Sequence, residues 1–208
     1  MRDFLSVSDV AYAELEIQKS RFLTAVYPVS GLEDGKRFLE ERRKEYPDAT
    51  HHCYALRGYP GGNESKMSDD GEPAGTAGAP IWNVIAKREL YGLLVVVTRY
   101  FGGIKLGANG LVGAYTAATV GVLDGAKLCR MKDSAIYRVD LPYGAYGGYE
   151  KGMESFGGIT LRTDFADRVS VTAAVPEDES ARFIEKIKAL TGGESPKFIE
   201  NQLRKYSV

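Results

Sequence analysis

The sequence contains few cysteines and no long hydrophobic run. Its two cysteines, Cys53 and Cys129, lie far apart in a chain of 208 residues, which excludes a disulfide framework and is typical of reduced thiols. The longest aliphatic run, Leu93 to Val97, is far shorter than a membrane span, and the first residues contain no apolar segment that would direct export. We therefore expect a cytoplasmic protein with no membrane partner.

An excess of either charge is also absent. The chain has 27 lysines and arginines against 28 aspartates and glutamates, a formal net charge of -1. A nucleic-acid surface would therefore require local clustering of cations instead of an overall basic excess. With 44% hydrophobic and 26% charged residues, the composition predicts a packed globular protein and argues against disorder.

Catalytic and metal-binding signatures with a defined spacing are missing. No Walker A motif and no GxGxxG fingerprint occurs in the glycine-rich segments. His51, His52 and Cys53 are consecutive, and on a strand their side chains alternate between two faces, so the three cannot converge on one zinc ion. His51 and Cys53 share a face, but a buried structural role is the better interpretation of this cysteine. We expect no cofactor and no bound metal.

The first part of the chain alternates strand and helix patterns. Strands are predicted at residues 11–18, 22–29, 52–56 and 91–100, and helices at 31–46, at 80–88 and over the segment with Leu111, Tyr115, Ala118 and Val122, which Asn109 would cap. Trp82, on the second of these helices, is predicted to be core. A glycine- and proline-rich loop covers residues 57–79, and loops of this length are usually functional or disordered.

The pattern restarts after a connector at residues 125–132. The elements that follow have the order βαββαβ, which is the ferredoxin-like arrangement. The predicted fold class is therefore α+β, with an N-terminal α/β domain over residues 1–128 and a ferredoxin-like C-terminal domain over residues 133–208.

Two glycine-rich loops, at residues 68–78 and 99–110, carry the main functional signal. The second places two cations and two aromatic residues beside glycines, directly before a helix start, and helix N-termini attract anions. Such a loop suits single-stranded nucleic acid, with cations on phosphates and aromatic rings on bases. The predicted nucleic-acid or anion contacts are Arg99, Tyr100, Phe101, Gly102, Gly103, Lys105, Gly107 and Asn109 in the second loop and Gly75, Thr76 and Gly78 in the first.

This hypothesis assigns a role to each group of residues. Arg99 and Lys105 would neutralise phosphates, Tyr100 or Phe101 would stack on a base, and the Gly75–Gly78 segment would supply backbone donors. The opposite interpretation is equally open on the sequence alone: the glycines form tight turns and the aromatic rings fill the core. No DNA specificity is indicated.

An acidic cluster precedes the first set of glycines. Asp69, Asp70 and Glu72, with His51 elsewhere in the chain, form a possible acid–base or cation-binding site. The favoured interpretation is that these side chains bond nearby amides and hold the turn. The alternative function is an enzyme acting on a small phosphorylated or acidic metabolite in the same cleft.

Four segments together resemble one known family. They are Lys19 to Phe22 (KSRF), Ala49 to Cys53 (ATHHC), Ser68 to Gly78 (SDDGEPAGTAG) and Arg99 to Tyr115 (RYFGGIKLGANGLVGAY). Their sequence and order resemble the IMPACT family, in particular its bacterial YigZ-like members. The resemblance implies an N-terminal domain similar to the RNA-contacting fold of ribosomal proteins and elongation factor G, followed by a ferredoxin-like domain.

The resemblance also implies a function linked to translation, and no catalytic residue accompanies it. We therefore expect a translation-associated protein that binds RNA or the ribosome through a glycine-rich basic cleft. A protein partner bound through the C-terminal domain is a further expectation.

Overall fold

The computed structural model describes residues 2–207, which divide into two compact units. The first is formed mainly by Phe4–Arg130 and the second by Met131–Tyr206 together with residues 2–3. Both contain a β-sheet and α-helices, so the predicted two-domain α+β class is confirmed.

The first unit is built around a five-stranded sheet. The short strand β1 (Asp3–Val7) comes first in the chain and is not part of this sheet. The elements after it are β2 (Ala11–Ile17), β3 (Ser20–Pro28), α1 (Leu32–Glu45), β4 (His51–Arg57), β5 (Ser65–Ser68), α2 (Gly78–Lys87), β6 (Leu93–Tyr100) and α3 (Gly107–Gly125). The strand order in the sheet is β2-β3-β6-β4-β5, with antiparallel neighbours. This order places β4 beside β6, with His51 directly opposite Arg99.

Helices cover both faces of this sheet. Successive side chains of a strand point to opposite faces, so Val95 and Val97 of β6 join the core under α2 and α3, whereas Leu94 and Val96 face α1. The same alternation sends Cys53 to the α2–α3 side. The unbroken aliphatic run in β6 is explained by burial on both faces.

The second unit contains the predicted βαββαβ order. Its elements are β7 (Leu128–Leu141), α4 (Tyr143–Ser155), β8 (Ile159–Phe165), β9 (Val169–Pro176), a 3-10 turn (Glu177–Glu179), α5 (Ser180–Thr191) and β10 (Lys197–Ser207). In the sheet, β7 pairs with β9 and β10, and β9 also pairs with β8. Alternate residues of β7 and β9 pack against Tyr149 and Met153 of α4 and Phe183 and Ile187 of α5.

The structure differs from the sequence-based description in four details. The strand β5 lies inside the predicted 57–79 loop, and β1 was not predicted, because both are short and lack a clear alternation. The segment 125–132 is not a free connector, since β7 begins at Leu128. Trp82 is only half-buried at the margin of the core.

Asn109 does not cap α3, contrary to prediction. The helix begins at Gly107 after Leu106, and Asn109 lies exposed within its first turn. Gly107 has φ of 71°, a left-handed conformation that glycine adopts without strain. The chain therefore turns into the helix at this glycine without a side-chain cap.

Candidate functional site

The loop before α2 is organised around the carboxylate of Asp69. Its oxygens accept hydrogen bonds from the backbone N–H groups of Gly75 (2.9 Å), Ala77 (2.9 Å) and Gly78 (2.8 Å). Burial alone would raise the pKa of Asp69, but these backbone bonds stabilise the ionised form and lower its pKa below the ordinary 3.8. Asp69 is thus an internal anion bound at the start of α2.

This arrangement corrects the role predicted for Gly75, Thr76 and Gly78. The donors of the two glycines are taken by Asp69, while both the N–H and the hydroxyl of Thr76 donate to the Pro73 carbonyl. These groups are therefore engaged within the protein and are not offered to a phosphate. For Asp69 the structure agrees with the interpretation that the acidic side chains hold the turn.

Glu72 has a different environment from the other two acidic residues. It is 8% exposed, and its Oε1 accepts hydrogen bonds from Arg99 Nη1 at 2.5 Å and from the Tyr115 hydroxyl at 2.7 Å. Arg99 is also buried, at 4% exposure, and its Nη2 donates to Ser20 Oγ at 3.3 Å. Burial raises the pKa of Tyr115, so its hydroxyl keeps its proton and remains a donor. The prediction of Arg99 as an open phosphate contact was wrong, because its charge is paired internally.

His51 and Asp70 extend this buried network. The imidazole Nδ1 lies 2.8 Å from the carbonyl oxygen of Asp70, while Nε2 lies 3.9 Å from Glu72 Oε2. A carbonyl oxygen only accepts, so Nδ1 carries a hydrogen, and in the tautomer that this bond selects the lone pair is on Nε2. The Asp70 carboxylate points elsewhere, to the N–H of His52 and to Arg43.

Cys53 lies in the same network but is not a nucleophile. It is fully buried, with Sγ 3.0 Å from the Asp69 carbonyl oxygen and 3.2 Å from the Tyr115 hydroxyl. Burial raises the pKa of this thiol to about 12, so the reactive thiolate is scarce at neutral pH. This supports the structural interpretation of Cys53.

The loop after β6 is held against the turn between β2 and β3. Gly102 donates its N–H to Ser20 Oγ at 3.2 Å, and a Cβ at position 102 would lie only 2.0 Å from the carbonyl carbon of Lys19. Phe101 is anchored by a bond from its N–H to Thr50 Oγ1 at 3.1 Å, and its ring is 47% exposed. This packing places the backbone of Lys19 against Gly102, the residue that follows Phe101.

We call Lys19, Phe101 and Lys105 the basic–aromatic platform. All three are exposed, and neither lysine has an ion-pair partner among residues 2–207. Tyr100 is half-buried and donates its hydroxyl to Asp48 at 2.7 Å, which makes it a weaker candidate for stacking. Gly103 and Gly107, both with positive φ, shape the loop that carries Lys105.

A cavity of about 350 Å³ lies beside this platform. Its walls are mostly apolar, while His51, Glu72 and Arg99 form its polar part and Lys105 lies just before α3. The lining residues are Thr50, His51, Glu72, Pro73, Arg99, Phe101, Lys105, Leu106, Gly107, Ala108 and Leu111. Residues of both predicted loops therefore meet in one cavity, but Gly75, Thr76 and Gly78 do not line it.

Sequence reasoning missed several residues that build the site. Ser20 and Tyr115 supply hydrogen bonds to Arg99 and Glu72, and Lys19 adds a cation. All three lie in the segments that carry the family resemblance, which was the available signal. Across residues 2–207, no group of three or more His, Cys, Asp or Glu side chains is placed to hold a metal ion.

The fold and site define a two-domain α+β protein whose first unit contains a mostly apolar cavity. The model of the Impact N-terminal domain matches residues 18–123, and that of a domain of unknown function (DUF1949) matches residues 139–194. The chain belongs to the IMPACT family and resembles its bacterial YigZ-like members. None of the helices within residues 2–207 has the length and apolar character needed to cross a membrane.

Two bacterial relatives match this chain along most of its length and of their own. IMPACT family member YvyE of Bacillus subtilis (strain 168) is 33% identical over 195 residues, covering 94% of this chain and 90% of the relative. IMPACT family member YigZ of Escherichia coli (strain K12) is 36% identical over 180 residues, covering 86% and 88%. A crystal structure of a hypothetical protein superposes with a TM-score of 0.64 at 31% identity, covering 100% of this chain and 98% of that one.

The Asp69 bonds predict a stability change in acid. Because the folded-state pKa of Asp69 is depressed, its stabilisation is complete above pH 3.8 and is lost as the pH falls below that value. We expect Asp69→Asn to lower the free energy of unfolding by about 2 kcal/mol at pH 7 and to flatten its acid dependence. Urea unfolding between pH 3 and pH 7 measures both effects. Asp167→Asn, at an exposed aspartate, is the control, and an unchanged acid dependence in Asp69→Asn would contradict the assignment.

The close approach at Gly102 predicts a steric effect. In Gly102→Ala the new methyl group would collide with the backbone of Lys19, so we expect a loss of about 2 kcal/mol or more in unfolding free energy. Gly113→Ala is the matched control: this glycine is an exposed residue of α3 with nothing within 4 Å of an added Cβ, so we expect stabilisation by up to about 1 kcal/mol. Equal effects of the two changes in urea unfolding would show that the loop is not tightly packed here.

Proposed function

We propose that this chain is a cytoplasmic, translation-associated protein that binds single-stranded RNA, including RNA exposed on the ribosome, through the basic–aromatic platform. The observation that carries the proposal is the exposed Phe101 ring, which lines one cavity with Lys105, while the backbone of Lys19 packs against the adjacent Gly102. Neither lysine has an ion-pair partner among the described residues. Aromatic stacking combined with phosphate neutralisation is the common mode of binding to single strands. The link to translation rests on the family to which the chain belongs.

The start of α3 adds a second source of attraction for phosphate. No side chain within residues 2–207 accepts a hydrogen bond from the N–H groups of its first turn, in contrast to the start of α2, where Asp69 accepts them. Free N–H groups at a helix start attract anions. Lys105 directly precedes this turn, so a phosphate between Lys105 and α3 would lie next to the Phe101 ring.

The stacking role of Phe101 is directly testable. We expect Phe101→Ala to weaken binding of an unstructured RNA by about 1–3 kcal/mol, or roughly 5- to 150-fold, because one stacked base is lost. Fluorescence anisotropy at low salt measures the affinity. Phe165→Ala is the matched control, since Phe165 is an exposed phenylalanine of the second unit. An unchanged affinity in Phe101→Ala, or no RNA binding by the unaltered protein at low salt, would refute the proposal.

The lysines predict the salt dependence. Phosphate contacts release counterions, so we expect Lys19→Ala and Lys105→Ala each to reduce the slope of log affinity against log salt by about 0.7–1. Lys87→Ala, an exposed lysine outside the platform, should leave the slope unchanged. Anisotropy titrations at several salt concentrations give the slopes, and a steep slope that none of the platform variants alters would exclude these contacts.

A second candidate function is favoured by the Nε2 lone pair of His51. The Asp70 carbonyl fixes the ring so that this nitrogen faces Glu72 at the wall of the cavity, where it has the geometry of a general base. The candidate is an enzyme that acts on a small phosphorylated or acidic metabolite.

That activity would require the Nε2 atom. We expect any turnover found in a screen of such metabolites to be lost in His51→Asn, which keeps a donor near the Asp70 carbonyl but has no group at the Nε2 position. Phe165→Ala should retain full turnover. Activity that survives in His51→Asn would exclude this histidine as the base.

A further inference from the structure

The cavity wall contains two hydrogen-bond acceptors that face each other. One is Nε2 of His51, because Nδ1 donates its hydrogen to the Asp70 carbonyl. The other is Oε2 of Glu72, because Oε1 is the atom that binds Arg99 and Tyr115. These two acceptors are 3.9 Å apart, which is beyond hydrogen-bond distance.

Neither acceptor has a donor among residues 2–207. The 3.9 Å between the two acceptors is the shortest distance of the His51–Glu72 pair, and the Glu72 side chain is only 4% exposed. Both residues line the cavity, so a group bound there can reach the two acceptors and supply the hydrogen-bond donor that they lack. The part of the wall formed by His51 and Glu72 is therefore complementary to a ligand group that donates hydrogen bonds.

The remaining walls indicate the shape of that ligand. Phe101, Leu106 and Leu111 line the cavity with apolar surface, and its volume is about 350 Å³. Lys105 and the open start of α3 attract negative charge and disfavour a cationic amine. The combination fits a molecule with donors at one end, a flat apolar body and an anion at the other end.

We infer that the cavity binds an unstacked nucleobase that carries an exocyclic amino group, with His51 Nε2 and Glu72 Oε2 accepting from that group. The inference deepens the proposed RNA-binding function and rests on it. Adenine, cytosine and guanine all present an amino donor on the edge exposed in a single strand, and uracil does not. The adjoining phosphate lies at Lys105 and the start of α3.

Uracil is the base that this wall rejects. Where adenine and cytosine present an amino group, uracil presents a carbonyl oxygen. An acceptor placed against two acceptors leaves all three without a donor. The cavity thus selects among bases, whereas the platform binds any single strand.

The test uses RNA nonamers that differ at one base. The unaltered full chain is titrated at low salt with labelled nonauridine and with the same strand carrying adenosine, cytidine or purine riboside at the centre. We expect adenosine and cytidine to increase affinity at least tenfold. Purine riboside, which has the adenine ring without the amino group, should bind like uridine. Equal affinity for adenosine and purine riboside would overturn the inference.

Variants separate the cavity from the platform. His51→Asn removes the acceptor at Nε2 and should abolish the preference, while His51→Gln places an amide oxygen near that position and should restore part of it. Lys105→Ala should weaken every strand by a similar factor and leave the preference intact. A preference that persists in His51→Asn would place base recognition elsewhere and overturn the inference.

The outcomes also distinguish this inference from the proposed function. If all strands bind equally and Phe101→Ala weakens them, RNA binding stands and the base-selective cavity is refuted. If no strand binds, calorimetry measures whether adenosine monophosphate and uridine monophosphate bind to the protein. Binding of the adenosine form alone supports the cavity and refutes the RNA function, and binding of neither refutes both.

Discussion

The buried ion pair between Glu72 and Arg99 is the interaction on which the site depends. It joins the loop before α2 to the end of β6, and through Tyr115 and Ser20 it also reaches α3 and the start of β3. A buried pair of this kind adds little net stability, because both charges lose their water, but breaking it costs about 3–5 kcal/mol. Its main effect here is therefore geometric: it orients Glu72 so that one carboxylate oxygen remains at the cavity wall.

The starts of α2 and α3 differ in whether a side chain accepts hydrogen bonds from their backbone N–H groups. The start of α2 is occupied by the Asp69 carboxylate, which makes the glycine-rich loop a rigid internal structure. The α3 helix begins at the left-handed Gly107, and its first turn has no such partner among the described residues. Only the second is therefore suited to an external anion, although both loops have the same glycine-rich composition. The loop before α2 contributes Glu72 and Pro73 to the cavity wall, and the loop before α3 carries the exposed Phe101 and Lys105.

The basic–aromatic platform shows how a chain of net charge -1 can still present a local positive surface. Lys19 and Phe101 are more than 80 positions apart by their numbering, and the close contact of Gly102 with the β2–β3 turn brings the backbone of Lys19 to the residue that follows Phe101. The charge that matters for a nucleic acid is the potential near its phosphates, not the sum over the protein. Neutral composition and RNA binding are thus compatible in this fold.

The sequence by itself determined the α+β class, most strands and helices, and the family, because alternation, helical periodicity and long ordered motifs are local signals. The elongation-factor likeness and the exact domain limits remain predictions. Only the tertiary structure decided that Asp69 occupies the predicted anion donors, that Arg99 is buried against Glu72, and that Ser20, Tyr115 and Lys19 belong to the site. Those facts depend on strand register and loop packing between distant segments, and composition does not encode which charge meets which partner.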